Sequence, residues 1–183
     1  MKNSIFIGTS LDGYIADKYG GLDYLNAIPN PTNDDMGYHP FISSIDAIIM
    51  GRTTFETVCS FDGEWPYQVP VFVLSNTLTE IPAAQKGKAY LAKGLLTEVL
   101  AEIRNQEFHN LYVDGGKTIQ SFLQEDLIDE MIITSIPILL GGGFSLFGEL
   151  TSPMLFKCVE TKILVEAIVQ SRFIRVRKKT THC

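Results

Sequence analysis

Apolar positions along the chain follow two rhythms. Ile5-Phe6-Ile7, Ala47-Ile48-Ile49-Met50, Val71-Phe72-Val73-Leu74 and Leu111-Tyr112-Val113 are continuous runs of strand length. Such strands are buried on both faces, which predicts a largely parallel sheet between helices. Leu95, Leu96, Val99, Leu100 and Ile103 keep helical spacing, as do Ile119, Phe122, Leu123 and Leu127. A short strand is expected over Lys88–Ala92. Strand and helix alternate to about residue 136. Beyond it, 155–165 and 168–177 read as two longer strands with a bend near Glu166-Ala167, an antiparallel hairpin closing the sheet. Segments 17–35 and 57–69 hold several Gly, Pro, Asn and Asp and read as long loops.

Three short segments follow apolar runs: Ser10-Leu11-Asp12-Gly13-Tyr14-Ile15-Ala16, Met50-Gly51-Arg52-Thr53-Thr54-Phe55-Glu56 and Asp114-Gly115-Gly116-Lys117-Thr118. The last two open helical patterns. A strand–glycine–helix junction leaves backbone N–H groups free at a positive helix end, where phosphate is held. Two such junctions outline a dinucleotide site, and with it a nicotinamide-dependent reductase.

Composition narrows the class. A chain of 183 residues, 45% of them apolar, reads as one domain, with a core over about 3–177 and a short basic tail at 178–183. No apolar run reaches membrane-spanning length. Only Lys2 precedes the first strand as a charge, so no signal peptide is expected and the location is expected to be cytoplasmic. Cys59, Cys158 and Cys183 are scattered, as are His39, His109 and His182. Neither set has metal-ligand spacing, so no metal is expected. Net charge is −6, yet Arg172, Arg175, Arg177, Lys178 and Lys179 crowd the last twelve residues without an acid. That tail reads as a solvated strand end, and the acidic remainder argues against a nucleic-acid partner.

The segment Met50–Glu56 carries the most specific resemblance. With Ser10–Ala16, Val73-Leu74-Ser75-Asn76, Gly115-Gly116 and Pro137-Ile138-Leu139-Leu140-Gly141-Gly142-Gly143 in the same order, the chain resembles the dihydrofolate reductase-like superfamily. More narrowly, it is similar to stand-alone bacterial proteins related to the C-terminal reductase domain of the bifunctional riboflavin-biosynthesis deaminase/reductase. The similarity spans about residues 3–177. It implies a three-layer α/β fold, mostly parallel with a C-terminal antiparallel hairpin. It also implies NADPH and hydride transfer to a small heteroaromatic compound, pteridine-, flavin- or pyrimidine-like.

The resemblance assigns residues. Arg52, between Gly51 and Thr53 at a helix start, would meet the adenosine 2′-phosphate, which its guanidinium fork suits. Ser75, Asn76 and Lys93 match contacts at the same phosphate. Gly115 and Gly116, with Lys117 and Thr118 after them, fall where pyrophosphate is cradled. Gly8, Ile15 and Ala16 match positions lining the nicotinamide. Asp35 matches the carboxylate that helps deliver a proton, and Thr134 the hydroxyl that bonds it. Asp34 and Asp35 also follow Asn33, a pattern that serves a helix N-terminal cap. Asp12, in Leu11-Asp12-Gly13, reads as a turn residue.

Two departures bear on the substrate. The arginine that clamps the glutamate tail in folate reductases is matched by Val69, which argues against classical folate. Residues 22–45 hold no Lys or Arg, which argues against a phosphorylated pyrimidine. Trp65, Tyr67, Tyr38, His39 and Tyr24 are candidates to line a pocket for a flat ring, or to fill the core. The apolar content of 155–177, together with the resemblance, predicts a homodimer through the C-terminal strands. The alternatives are an NADPH-binding sensor without turnover and a structural homo-oligomer.

Overall fold

A computed structural model describes residues 1–177; the expected tail at 178–183 lies outside the described residues. In chain order the elements are β1 (Lys2–Ser10), β2 (Tyr14–Ala16), α1 (Tyr38–Ile42), β3 (Ala47–Gly51), α2 (Arg52–Cys59), β4 (Val71–Leu74), β5 (Ala89–Ala92), α3 (Leu96–Asn105), β6 (Asn110–Asp114), α4 (Gly116–Gln124), β7 (Glu130–Ile136), β8 (Phe144–Ser145), β9 (Phe156–Leu164) and β10 (Ile168–Arg175). Short 3-10 turns interrupt the loops at Asp23–Asn26 and Ala83–Gln85.

Eight strands form one sheet in the order β5-β4-β3-β6-β1-β7-β10-β9. The six from β5 to β7 run parallel. β10 is antiparallel to β7, and β9 to β10. The expected mostly parallel sheet with a C-terminal hairpin is what forms.

The continuous apolar runs are explained by burial on both faces. In β3, Ala47 and Ile49 pack with Val99, Leu100 and Ile103 of α3 and Ile119, Phe122 and Leu123 of α4. The alternate residues Ile48 and Met50 pack with Phe41 of α1 and with Phe55 of α2. Burying one such side chain is worth ~1.5–3 kcal/mol, so the central strands anchor the domain. A third cluster, around Tyr24, Ile136 and Ile168, lies under the loop that follows β2.

Three details differ from expectation. α2 runs three residues into the segment read as a loop, because Thr57–Cys59 continue the turn that buries Val58. α4 ends at Gln124; Leu127 packs against the core from beyond the helix, after a chain reversal at Asp126, φ 53°. The hairpin bend falls at 165–167, as expected, with Val165 and Glu166 left-handed at φ 41° and 63°. A second, two-stranded ribbon of β2 and β8 has no forerunner in the apolar pattern, since its strands are three and two residues long.

Candidate cofactor and active site

β3 and β6 lie side by side, so the two strand–glycine–helix junctions meet at one end of the sheet. They clasp each other. The Thr118 hydroxyl would lie 2.9 Å from a Cβ on Gly51, and Thr54 fills the space a Cβ on Gly115 would need. Gly115 also has φ 89°, a conformation that favours glycine. Neither α2 nor α4 has a side-chain cap. Their first-turn N–H groups are therefore free to meet an anion.

A cavity of about 1040 Å³ opens over this clasp. Gly8, Ile15, Ala16, Gly51, Arg52, Thr53, Gly115, Gly116, Lys117 and Thr118 all line it. Ser75, Asn76 and Lys93 do not line it. Gly51, Leu74 and Ala92 are register partners at the ends of β3, β4 and β5. Arg52, Ser75 and Lys93 are the residues that follow those three strands, so they form a row at the strands' C-terminal ends. The Ser75 N–H donates to the Ala92 carbonyl oxygen at 3.1 Å. The Arg52 guanidinium donates to Glu56 Oε1 at 2.7 Å and Thr77 Oγ1 at 3.2 Å. Asn76 Oδ1 accepts from the Gly94 N–H at 3.5 Å, beside Lys93.

The expected Asp35–Thr134 pair does not form. Met36 and Gly37 are left-handed, at φ 54° and 82°, and turn the chain back on itself. The exposed Asp35 carboxylate then accepts the N–H groups of Gly37 at 2.9 Å and His39 at 2.8 Å, capping the first turn of α1. Those bonds to backbone hold its pKa below the ordinary value. The buried Thr134 hydroxyl accepts instead from Gln170 Nε2 at 2.9 Å. Neither residue lines the cavity. Asp12 ties its turn to the 140–141 segment, accepting from Ser10 Oγ at 2.6 Å and from the Gly141 N–H at 2.8 Å.

A different carboxyl lies in the cavity. Asp114 ends β6, half-buried, with Tyr112 and Tyr67 also on the wall. Burial raises its pKa to about 6, against the opposing bond from the Gly115 N–H at 2.8 Å. The Tyr112 hydroxyl donates to the Phe6 carbonyl oxygen at 3.0 Å, and burial pushes its own pKa well up. Burial raises Tyr67 and Tyr38 as well, with the Asp114 charge adding to it. Leu22, Leu25, Val58 and Phe61 complete this apolar end. The sequence motif already contained Asp114, a carboxylate at the end of a buried strand.

Of the candidate aromatics, Tyr67 alone lines the cavity. Trp65 supports it from behind, edge-on at 5.4 Å between centroids. Tyr38 stacks edge-on against Phe6 at 5.6 Å, and Tyr24 donates to the Gly8 carbonyl oxygen at 3.0 Å from within the third cluster. His39 sits on α1 outside the cavity.

The family model for the RibD C-terminal domain matches residues 4–169. The chain belongs to the RibD C-terminal domain family. A candidate riboflavin biosynthesis protein of Shewanella sp. PV-4 is 51% identical, with a TM-score of 0.95, over 97% of this chain and all of that one. The diaminohydroxyphosphoribosylaminopyrimidine deaminase/5-amino-6-(5-phosphoribosylamino)uracil reductase of Thermotoga maritima shares the fold at 15% identity and TM-score 0.72; 96% of this chain spans 56% of it. Dihydrofolate reductase of Enterococcus faecalis, solved with NADP(H), shares the fold at 16% identity and TM-score 0.65, over 95% of this chain and 96% of that one. The fold of this RibD C-terminal domain is therefore the dihydrofolate reductase-like one, and its named structural neighbours include reductases. Among the described residues, no helix is long and apolar enough to cross a membrane.

Proposed function

We propose that this protein is an NADPH-dependent reductase of a small, flat heterocycle that carries no phosphate. The observation behind it is the clasp of two uncapped helix ends, flanked by the row of Arg52, Ser75 and Lys93 and opening onto an apolar end with one carboxyl. The clasp suits a pyrophosphate, and the row suits one further phosphate at the adenosine end. NADPH, when bound, supplies the hydride.

The chain's own residues do the rest. Gly8, Ile15 and Ala16 wall the inner part of the cavity, with no side chain at Gly8 to obstruct a flat ring. Leu22, Leu25, Val58, Phe61 and Tyr67 exclude water from the acceptor and hold its plane. Asp114 holds a proton on its carboxyl up to about pH 6 and donates it to a ring nitrogen of the acceptor. Of the lining residues only Arg52 and Lys117 are cations, and both sit at the dinucleotide junctions. Nothing at the acceptor end would neutralise a phosphate or a glutamate tail.

The test is a titration with NADPH and NADH, followed by NADPH oxidation across a panel of unphosphorylated pterins, flavins and pyrimidines. NADPH binding with turnover of one class is expected. Binding without any turnover would leave a cofactor-binding module, and no binding would overturn the reading.

A further inference from the structure

The apolar end of the cavity, bounded by Leu22, Leu25, Val58 and Phe61, holds three polar side chains: Asp114, Tyr112 and Tyr67. Two of them are engaged within the protein. The Tyr112 hydroxyl donates to the Phe6 carbonyl oxygen at 3.0 Å, and Asp114 accepts from the Gly115 N–H at 2.8 Å. Tyr67 is different. Among the described residues no group bonds its hydroxyl, and burial, helped by the Asp114 charge, keeps the phenol protonated. Tyr38 feels the same charge but lies outside the cavity, edge-on against Phe6. Tyr67 therefore carries the one hydroxyl at this end that the described fold leaves without a partner.

The ring that carries this hydroxyl is held from behind. Trp65 meets it edge-on at 5.4 Å between centroids, and Phe55 meets Trp65 at 6.0 Å. Phe55 is itself buried in the core with Ile48 and Met50. Pro66 and Pro70 restrict the backbone on either side. A donor fixed in this way discriminates between ligands without first having to be ordered. Packing alone does not explain the hydroxyl. A half-buried hydroxyl with no partner lowers stability, and phenylalanine would fill the same space without it.

We propose that Tyr67 determines specificity at this end: its hydroxyl donates to a ring carbonyl oxygen, so the substrate is an oxo-heterocycle and the analogue with an amino group at that position is refused. The proposal rests on the reductase reading above and adds which edge of the ring is read. A ring carbonyl oxygen only accepts, which matches a phenol that keeps its proton. An amino group would reverse the bond. The phenol oxygen would then accept from N–H, and its own proton would need another acceptor. Asp114 is not that acceptor, since it acts on Tyr67 through its charge and not through a hydrogen bond. The proton would be left unpaired in an apolar wall, and such a mismatch is what gives a hydrogen-bonding site its selectivity.

The test uses matched pairs, pterin with 2,4-diaminopteridine and uracil with cytosine, in which an amino group replaces a ring carbonyl. Each compound is titrated near neutral pH into the parent and into Tyr67→Phe. Trp65 is the chain's single tryptophan, so quenching of its fluorescence reports occupancy beside Tyr67. The parent should bind the oxo member of at least one pair roughly tenfold tighter than its amino partner. Tyr67→Phe should bind that oxo member about tenfold more weakly and the amino member within about twofold of the parent. The variant should bind NADPH as the parent does and melt no lower. A preference that survives in Tyr67→Phe overturns the proposal, as does a parent that binds both members of each pair alike or binds none. A variant that melts several degrees lower and loses NADPH assigns the hydroxyl to the fold and overturns it too. A parent that binds no NADPH overturns the cofactor reading alone, since the fluorescence titrations still decide the role of Tyr67.

Discussion

The side chain of Thr54 rests against Gly115, in the space where a side chain on that glycine would begin. α2 thereby presses its first turn onto the start of α4. Thr118 of α4 returns the contact over Gly51. The two anion-facing helix ends hold their spacing because each glycine admits the other junction's threonine.

The two glycines should differ in what repairs them. Gly51 has φ −80°, so Gly51→Ala conflicts only with Thr118. Removing the hydroxyl with Thr118→Ala should restore most of the lost stability. Gly115→Ala adds a left-handed alanine to the clash with Thr54. It should cost about 2–4 kcal/mol, and Thr54→Ala should recover only part. Urea unfolding of the four variants measures this. Equal rescue at both sites would show that backbone conformation at Gly115 is not the limiting factor.

Arg52→Ala should weaken NADPH by roughly ten- to a hundredfold and leave NADH nearly unchanged, since a charge-assisted bond to phosphate is worth ~1.5–3 kcal/mol. Arg52 is exposed, so the fold should stand. Its partner Glu56 competes for the guanidinium at 2.7 Å. Glu56→Gln should therefore tighten NADPH by about twofold, the size of an exposed helix ion pair. Calorimetric titration reads both. Parallel losses for the two cofactors in Arg52→Ala would remove Arg52 from the extra phosphate.

Asp114→Asn should stabilise the protein and silence it. A carboxyl whose pKa is raised gains stability from its proton below its ordinary value of 3.8 and loses it as pH rises through about 6. Above that pH the parent carries a disfavoured charge, which asparagine removes. The variant should gain about 1–3 kcal/mol at pH 8 and nothing near pH 3. Turnover should fall ~10²–10⁴-fold, and the parent's rate should decline as pH rises past about 6. Asp35→Asn should instead lower the melting temperature and keep turnover. The reverse result for the pair would return the acid role to Asp35.

Glu166→Gly should raise stability by about 0.5–1 kcal/mol, because a left-handed non-glycine residue costs ~1–2 kcal/mol and glycine's unfolded-state freedom offsets part of the gain. Glu166 is exposed, at φ 63° in the β9–β10 turn. Thermal unfolding would show a rise of a few degrees; a fall would mean the turn tolerates glutamate without strain.

The sheet was legible because its central strands are buried on both sides, which leaves runs such as Ala47–Met50 unbroken. The junctions were legible because glycine followed by a helical pattern has few other uses. The β2–β8 ribbon was not, since Tyr14–Ala16 and Phe144–Ser145 are too short to show a period. The expected Asp35–Thr134 bond is absent for a related reason. Counting back from Gly51 assumes a chain of fixed geometry, and the left-handed turn at Met36 and Gly37 bends the loop away from the cavity. Asp114 is visible in the sequence as a residue, but its raised pKa is not. Its raised pKa comes from burial among Tyr112 and Tyr67, which sequence order keeps far apart.

β1 lies in the interior of the sheet, between β6 and β7. Its partners, Asn110–Tyr112 and Glu130–Ile136, are made a hundred or more residues later. At ribosomal speed that delay is on the order of ten seconds. Through that interval Ile5, Phe6 and Ile7 are synthesised, apolar and without their strand partners. The earliest-made strand of this sheet is among the last to be paired, which gives the domain a slow, non-local step late in folding.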